Sequence, residues 1–343
     1  MEPNRISVGG PFFEDFKHGQ VFDDAPSVTL TEGHAVLYQA LSGDRLRLPL
    51  DYRLSRAVTG RPEPLAHPTF VGHVAIGQTT SASQRVRGNL FYRGLVFSRP
   101  VHLGDTLRTR SEVVALRQNR PKPGRPSTGM VVLRTHVENQ RGKTVLDFWR
   151  CPMIPLRDPE ADTGHNDSFD AIPADIDFDH LVDRVPKGWH LDVFKERVGG
   201  HGEHGSDLLP GTVYAVEGRD TVTCAPELAR VTLNLAAVHT DPEAGAYGRR
   251  LVYGGHTISI AGAHATRALP NLVTILAWRS CDHTGPVFEG DVLRTELTVE
   301  GVHRLSEAGV LVDLRALVHA TRGDDRDKGE EPVLDWRFVG LMA

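Results

Sequence analysis

Cysteine is scarce: the 343 residues include only Cys151, Cys224 and Cys281, far apart and in no Cys-x-x-Cys pair. An odd number at such spacing argues against a disulfide framework and a structural zinc site, and it fits a reducing cytoplasm. No run reaches the roughly 18 apolar residues that a bilayer-spanning helix needs. The N-terminal MEPNRISVGGPFFEDF has no basic segment leading into an apolar one, so no signal for export or membrane insertion is readable. An excess of one charge is also missing. The formal net charge is −5 and the basic residues are scattered, which leaves no stripe for nucleic acid.

What is present is the composition of a soluble globular protein, 40% apolar and 24% charged, with 34 Gly and 22 Pro to supply turns. The length exceeds one ordinary core and predicts two, of roughly 150 residues each. An internal repeat supports that division. PVHLGDTLRTRSEV (100 to 113) and PVFEGDVLRTELTV (286 to 299) share eight of fourteen positions, and VLDFWR (145 to 150) is echoed by VLDWR (333 to 337).

Each copy runs from a Gly-Asp turn into stretches rich in Val, Leu, Thr and Arg with partial alternation, which predicts an antiparallel sheet. Ahead of those strands lie TFVGHVAIGQTTSAS (69 to 83) and GHTISIAGAHATRAL (255 to 269), whose small residues predict a helix packed close against the sheet. The expected fold is α+β, two copies of a curved antiparallel sheet around a central helix. Residues 157 to 188 are rich in Asp and Pro and read as a linker between a first unit (1 to 156) and a second (189 to 343).

The second unit carries the most chemically suggestive stretch, LNLAAVHTDPEAGAYGRRLVYGGHT (233 to 257), with Asn234, His239 and Asp241 ahead of Tyr253, Gly254, Gly255 and His256. A helix N-terminus offers unpaired amides and partial positive charge, suited to a carbonyl oxygen that gains negative charge, and Gly254 and Gly255 would let a ligand approach them. His239 with Asp241 or Asn234 would handle protons. A polar turn capped by Asp241 before Pro242 is the alternative for the same residues.

GPFFEDFKHGQVF, TLTEGHAVLYQALSG, LRQN, VLDFWR and above all GRRLVYGGHTIS (248 to 259) resemble the MaoC-like acyl-CoA hydratases and dehydratases, most closely the double-hotdog mesaconyl-CoA hydratases, also called β-methylmalyl-CoA dehydratases. The resemblance runs through both halves. It implies a tandem hotdog fold, an acyl-CoA thioester as substrate, no metal and no cofactor, and one site per pair of hotdogs. It further implies reversible hydration of a short branched or dicarboxylic 2-enoyl-CoA, with mesaconyl-CoA and water giving β-methylmalyl-CoA. The family signature D-x-N-P-L-H-x-D maps Asn234 onto the first Asp, His239 onto the His and Asp241 onto the last Asp. An amide is no base, so either His239 carries the proton alone, oriented by Asn234, or Asp241 supplies a carboxylate. In an alternative register Thr232 takes the His position.

In the first unit LPLDYRLSRA (48 to 57) carries Asp51 where the His belongs and Arg53 where the Asp belongs, so this unit reads as noncatalytic and as a wall of the pocket. Arg249 and Arg250 are the expected contacts for CoA phosphate or an acid group, with RQNRPKPGRP (117 to 126) as another phosphate clamp or a solvated hairpin loop. GGHGEHG (199 to 205) reads as a glycine-rich loop in preference to a metal site, and His34, His67 and His73 as packing or surface histidines. A hotdog thioesterase and a noncatalytic acyl-CoA-binding subunit are the rival functions. A homodimer, without nucleic acid or membrane, is the expected assembly.

Overall fold

A computed structural model of the chain describes residues 3–124, 126–305, 309–325 and 329–343. In the first half, short strands β1 (Val21–Phe22) and β2 (Val28–Thr29) precede β3 (Gly88–Phe97), β4 (Thr106–Gln118), β5 (Thr128–Asn139) and β6 (Thr144–Pro155). In the second, β7 (Val213–Ala215) and β8 (Asp220–Thr221) precede β9 (Leu272–His283), β10 (Val292–Arg304), β11 (Val310–Thr321) and β12 (Glu330–Met342). Helices α1 (Glu32–Ser42), α2 (Arg47–Leu50), α3 (Tyr52–Thr59) and α4 (Pro68–Gln78) lead to β3. Helices α5 (Phe178–Arg184), α6 (Leu191–Val198), α7 (Ala225–Val231) and α8 (Gly254–Ala268) lead to β9.

The strands form one antiparallel sheet in the order β1-β4-β5-β6-β3-β9-β12-β11-β10-β7, with β2 added on β4 and β8 on β10. The two halves meet edge to edge at β3 and β9, where Tyr92 faces Cys281 and Leu95 faces Trp278. Pairing these two edges leaves neither half with a long bare strand there. Burial alternates along β10, as expected of strands with one face on the core and one toward solvent. Both α4 and α8 are buried around almost their whole circumference, the pattern of a helix wrapped by a sheet.

The repeat has a local cause. Gly104 (φ 93°) and Gly290 (φ 92°) occupy the left-handed region that favours glycine, and the aspartates that follow close the turn from outside. The Asp105 carboxylate accepts from His102 N at 2.9 Å and Asp291 from Phe288 N at 2.9 Å. One strand further in, Thr109 bonds Gln78 of α4 at 2.6 Å, and Thr295 bonds His264 of α8 at 2.7 Å. All these pairs stand 186 positions apart. At the centre the helices touch, with His73 Nε2 3.0 Å from Ser259 Oγ, two residues related by the same offset.

The first central helix stops at Gln78, short of the 83 expected from sequence, and gives way to a 3-10 turn over Thr80–Ser83. Hydroxyls that compete for backbone carbonyls explain it: Thr79 donates to Ile76 O at 2.6 Å and Thr80 to Gly77 O at 2.5 Å. Residues 157 to 188 are laid back along both halves. Asp167 accepts from Leu116 N at 2.6 Å, Arg117 stacks on Phe169 at 3.8 Å, and Asp175 pairs with Arg279 at 2.5 Å.

Candidate active site

Where the halves meet, a cleft of about 400 Å³ opens between the N-terminus of α8 and the end of β6. Tyr253, Gly254, Asn234 and His239 line it from the second half; Arg150, Tyr92, Thr80 and Ser83 line it from the first. Among the described residues no aspartate or glutamate lines it, whereas Arg150 and Arg87 do.

His239 ends a 3-10 turn, Ala237–His239, and is 8% exposed. Its Nδ1 lies 2.8 Å from the Leu251 carbonyl oxygen, so Nδ1–H donates there and Nε2 is left as the unprotonated nitrogen. Burial pushes its pKa down to about 4; the Leu251 bond opposes this, and the Arg150 cation adds to it. The imidazole is therefore neutral at neutral pH. His283, on the facing wall, is held down to about 4 by burial and by His239.

Asn234 is buried, and its Oδ1 accepts from Ala236 N at 2.9 Å. With the oxygen committed, the side chain presents its amide N–H groups. Tyr253 stands at the N-cap of α8, its ring centred 5.4 Å from that of His239 and tilted against it, and its buried hydroxyl has no hydrogen-bond partner among the described residues. Burial raises its pKa well above the ordinary tyrosine value, so it stays a proton donor. The glycine pair has a packing use too. A Cβ on Gly254 would come within 2.5 Å of the His283 ring, and one on Gly255 within 2.5 Å of the Tyr253 ring. Their amides open the helix, where no preceding turn supplies an acceptor.

Other predicted residues fall elsewhere. Asp241 is exposed and accepts from Glu243 N at 2.9 Å, capping the 3-10 turn Pro242–Ala244. Asp51 has the same place in the first half, accepting from Arg53 N at 2.9 Å and capping α3. The backbone N–H of each also donates at 2.8 Å to the carbonyl four residues back. Both carboxylates are spent on helix starts, and Asp241 does not line the cleft. Arg249 pairs with Asp324 at 2.8 Å and lies over Phe288; Arg250 pairs with Glu289 at 2.6 Å. Both face solvent beside the cleft, outside its lining. His256 is buried within α8, its N–H bonded to Tyr253 O at 2.8 Å, and it too is absent from the cleft wall.

Thr232, the alternative to His239, is buried with its hydroxyl bonded to Leu228 O at 2.8 Å. Of the segment 117 to 126, Arg117 and Gln118 end β4 half-buried, and the β4–β5 loop that follows is exposed from Arg120 to Gly124 and at Pro126, with Arg125 outside the described residues. Among the described residues no three His, Cys, Asp or Glu side chains converge as metal ligands, the 199 to 205 loop included. No helix among them is long and apolar enough to cross a membrane.

Pseudo-symmetry identifies what stands at the related place in the other half. Asp44 matches Asn234, because its Oδ1 accepts from Leu46 N at 2.8 Å just as Asn234 serves Ala236. Counted from there, Pro49 takes the position of His239; through the helix offset, His67 takes that of Tyr253 and Phe97 that of His283. The related cleft holds only about 20 Å³, and Arg184, Pro186 and Trp189 from the segment after the first unit close over it. Arg150 and His283 were not singled out from sequence. The signal for Arg150 was an arginine in the inward phase of FWR, between outward Trp149 and buried Cys151.

The model for the mesaconyl-CoA hydratase family matches residues 4–277. The β-methylmalyl-CoA dehydratase of Chloroflexus aurantiacus is 33% identical over 296 residues, covering 83% of this chain and 80% of that protein. The mesaconyl-CoA hydratase of Cereibacter sphaeroides is 30% identical over 318 residues, 91% of this chain and 90% of that one. A solved protein of Mycobacterium tuberculosis, described as a conserved hypothetical protein with a double hotdog fold, is 49% identical with a TM-score of 0.88, covering 98% of this chain and all of that one. The fold is accordingly a double hotdog, as the repeat and the resemblance led us to expect. With a family match across most of the sequence and relatives aligned through both halves, the chain belongs to the mesaconyl-CoA hydratase family.

Proposed function

We propose that the cleft reversibly hydrates a dicarboxylic 2-enoyl-CoA, with mesaconyl-CoA and water giving β-methylmalyl-CoA. The observation that carries this is a neutral His239 whose tautomer is fixed by Leu251, at the mouth of α8 in a cleft that no carboxylate among the described residues lines. The thioester oxygen sits against the Gly254 amide, the member of the glycine pair that lines the cleft, where the enolate charge is stabilised as it develops, and Gly255 serves the packing behind it. His239 Nε2 takes a proton from water as the water oxygen bonds to the β carbon, and the imidazolium then returns that proton to the α carbon. Asn234 holds the water through its amide hydrogens, and the Tyr253 hydroxyl donates to the thioester or the enolate. Asp241, Arg249, Arg250 and His256 have no part in this scheme, because each is engaged outside the cleft wall.

In this reading the first unit, 1 to 156, lends a wall and the second, 189 to 343, the proton chemistry. Pro49 and Phe97 stand where His239 and His283 would be needed in the first unit, and the segment after residue 156 fills the space. In this reading the reaction uses no cofactor and runs in the cytoplasm.

The test follows mesaconyl-CoA and crotonyl-CoA side by side for loss of enoyl absorbance and for release of free thiol. Hydration removes the absorbance without thiol; thiol release would make the protein a thioesterase, and saturable binding without turnover a binding subunit. His239→Gln should lower kcat for hydration by about 10² to 10⁴, the range usual for a general base, with little change in the circular dichroism spectrum.

A further inference from the structure

Arg150 is 3% exposed, yet its guanidinium meets only neutral oxygens. Nη1 bonds the Thr79 hydroxyl and, at 3.4 Å, the Ile76 carbonyl; Nη2 bonds Ser83 Oγ at 3.0 Å; Nε has no partner. A buried cation ordinarily carries a counter-ion, because desolvation is costly without one. Among the described residues none of the ion pairs involves Arg150, and no acid lines the cleft that it borders.

The fold does not require a charge at this place. Arg150 pairs with Leu133 across the sheet as Phe338 pairs with Leu314 in the second half, and the flanking pairs, Arg134 with Trp149 and Arg315 with Arg337, hold the same register. Phe338 is fully buried and stacked on Trp336 at 4.1 Å. An apolar ring thus serves the packing at this position in the second half, and the copy of the position that borders the open cleft has a guanidinium instead. Ser83, also fully buried, accepts from Arg150 and retains its own hydroxyl proton for a further acceptor in the cleft.

We propose that Arg150, with Ser83, binds the free carboxylate of a dicarboxylic acyl group and so selects it over an uncharged acyl chain of similar length. This rests on the cleft being an acyl-CoA site, and it deepens that reading by naming the group that sets acyl specificity. The planar guanidinium suits a carboxylate, and the missing counter-ion would arrive with the substrate.

The test is equilibrium binding of two unreactive thioesters, succinyl-CoA and butyryl-CoA, to the wild-type chain, Arg150→Gln and Arg150→Lys. Wild type should favour succinyl-CoA by about 30-fold or more, the scale of a desolvated charge-assisted contact. In Arg150→Gln that ratio should collapse toward unity, and in Arg150→Lys, which keeps the cation and is the variant that decides if the glutamine form fails to fold, it should drop about tenfold. A purely structural Arg150 would weaken both ligands together and leave the ratio intact, which overturns the proposal. Equal binding of both thioesters by wild type overturns it as well. Turnover of mesaconyl-CoA by the same wild-type preparation separates the two readings: the ratio without hydration refutes the reaction and keeps the anchor, and hydration without the ratio does the reverse.

Discussion

His239 is the residue on which the proposed chemistry turns, and its environment sets a pH dependence. The base is the neutral imidazole, and burial with the Arg150 cation holds its pKa near 4, so activity is lost as pH falls through that value. A plot of kcat/KM against pH should stay level from neutrality to about pH 5 and drop below it, whereas an ordinary histidine would bend near 6.5. Asp241 predicts the opposite kind of result. Its carboxylate caps a turn as Asp51 does in the other half, so Asp241→Ala should cost about 1 kcal/mol in urea unfolding and leave hydration within about threefold. A loss of turnover comparable with His239→Gln would return Asp241 to the catalytic set. The sequence made His239 legible as a proton-handling residue but could not separate it from Asp241, since both sit in one polar turn and only packing shows which of them faces the cleft.

At the scale of elements, the end of α4 and the loop after α7 are built against each other. A Cβ on Gly77 would lie 1.6 Å from the Thr232 carbonyl oxygen, a backbone atom that cannot move aside cheaply. Gly77→Ala should therefore destabilise the fold by about 3 kcal/mol or more, the upper end of overpacking costs, measured as a shift in the urea midpoint. The same contact seats Asn234, because Thr80, three residues further along, accepts from Leu235 N at 2.9 Å. Hydration by any folded Gly77→Ala protein should fall with the displacement of that loop. Strand periodicity and the Gly-Asp turns were readable in sequence because they repeat 186 positions apart and depend on local backbone needs. The early stop of α4 was not, since it depends on which carbonyls the Thr79 and Thr80 hydroxyls reach.

For the molecule as a whole, several histidines are buried in the neutral form. His73 is held down to about 3 by burial first and neighbouring histidines second, and His239, His256 and His283 to about 4, burial again leading. Each is protonated more readily in the unfolded chain, near 6.5, so the stability they contribute is fully present above that pH and is lost as pH falls toward 4. Thermal melts should show Tm falling steadily from pH 6.5 to 4.5, and a flat profile over that window would contradict the burial of these rings. Because three of them lie at the junction of the two central helices and the cleft, acid should loosen the site together with the fold.

The sequence by itself determined the duplication, the two central helices, the sheet class and the family resemblance. The first three follow from periodicity, small residues and turn chemistry, each of which acts over a few neighbouring positions, and the resemblance rests on stretches such as GRRLVYGGHTIS (248 to 259). Only the tertiary structure decided which of two related clefts is open, that Asp241 is a cap, that Arg249 and Arg250 belong to surface ion pairs, and that Arg150 from the first half borders the same space as His239 from the second. The reason is physical: desolvation and the pairing of buried polar groups depend on what lies across the β3–β9 junction, and no local stretch of sequence specifies that neighbour.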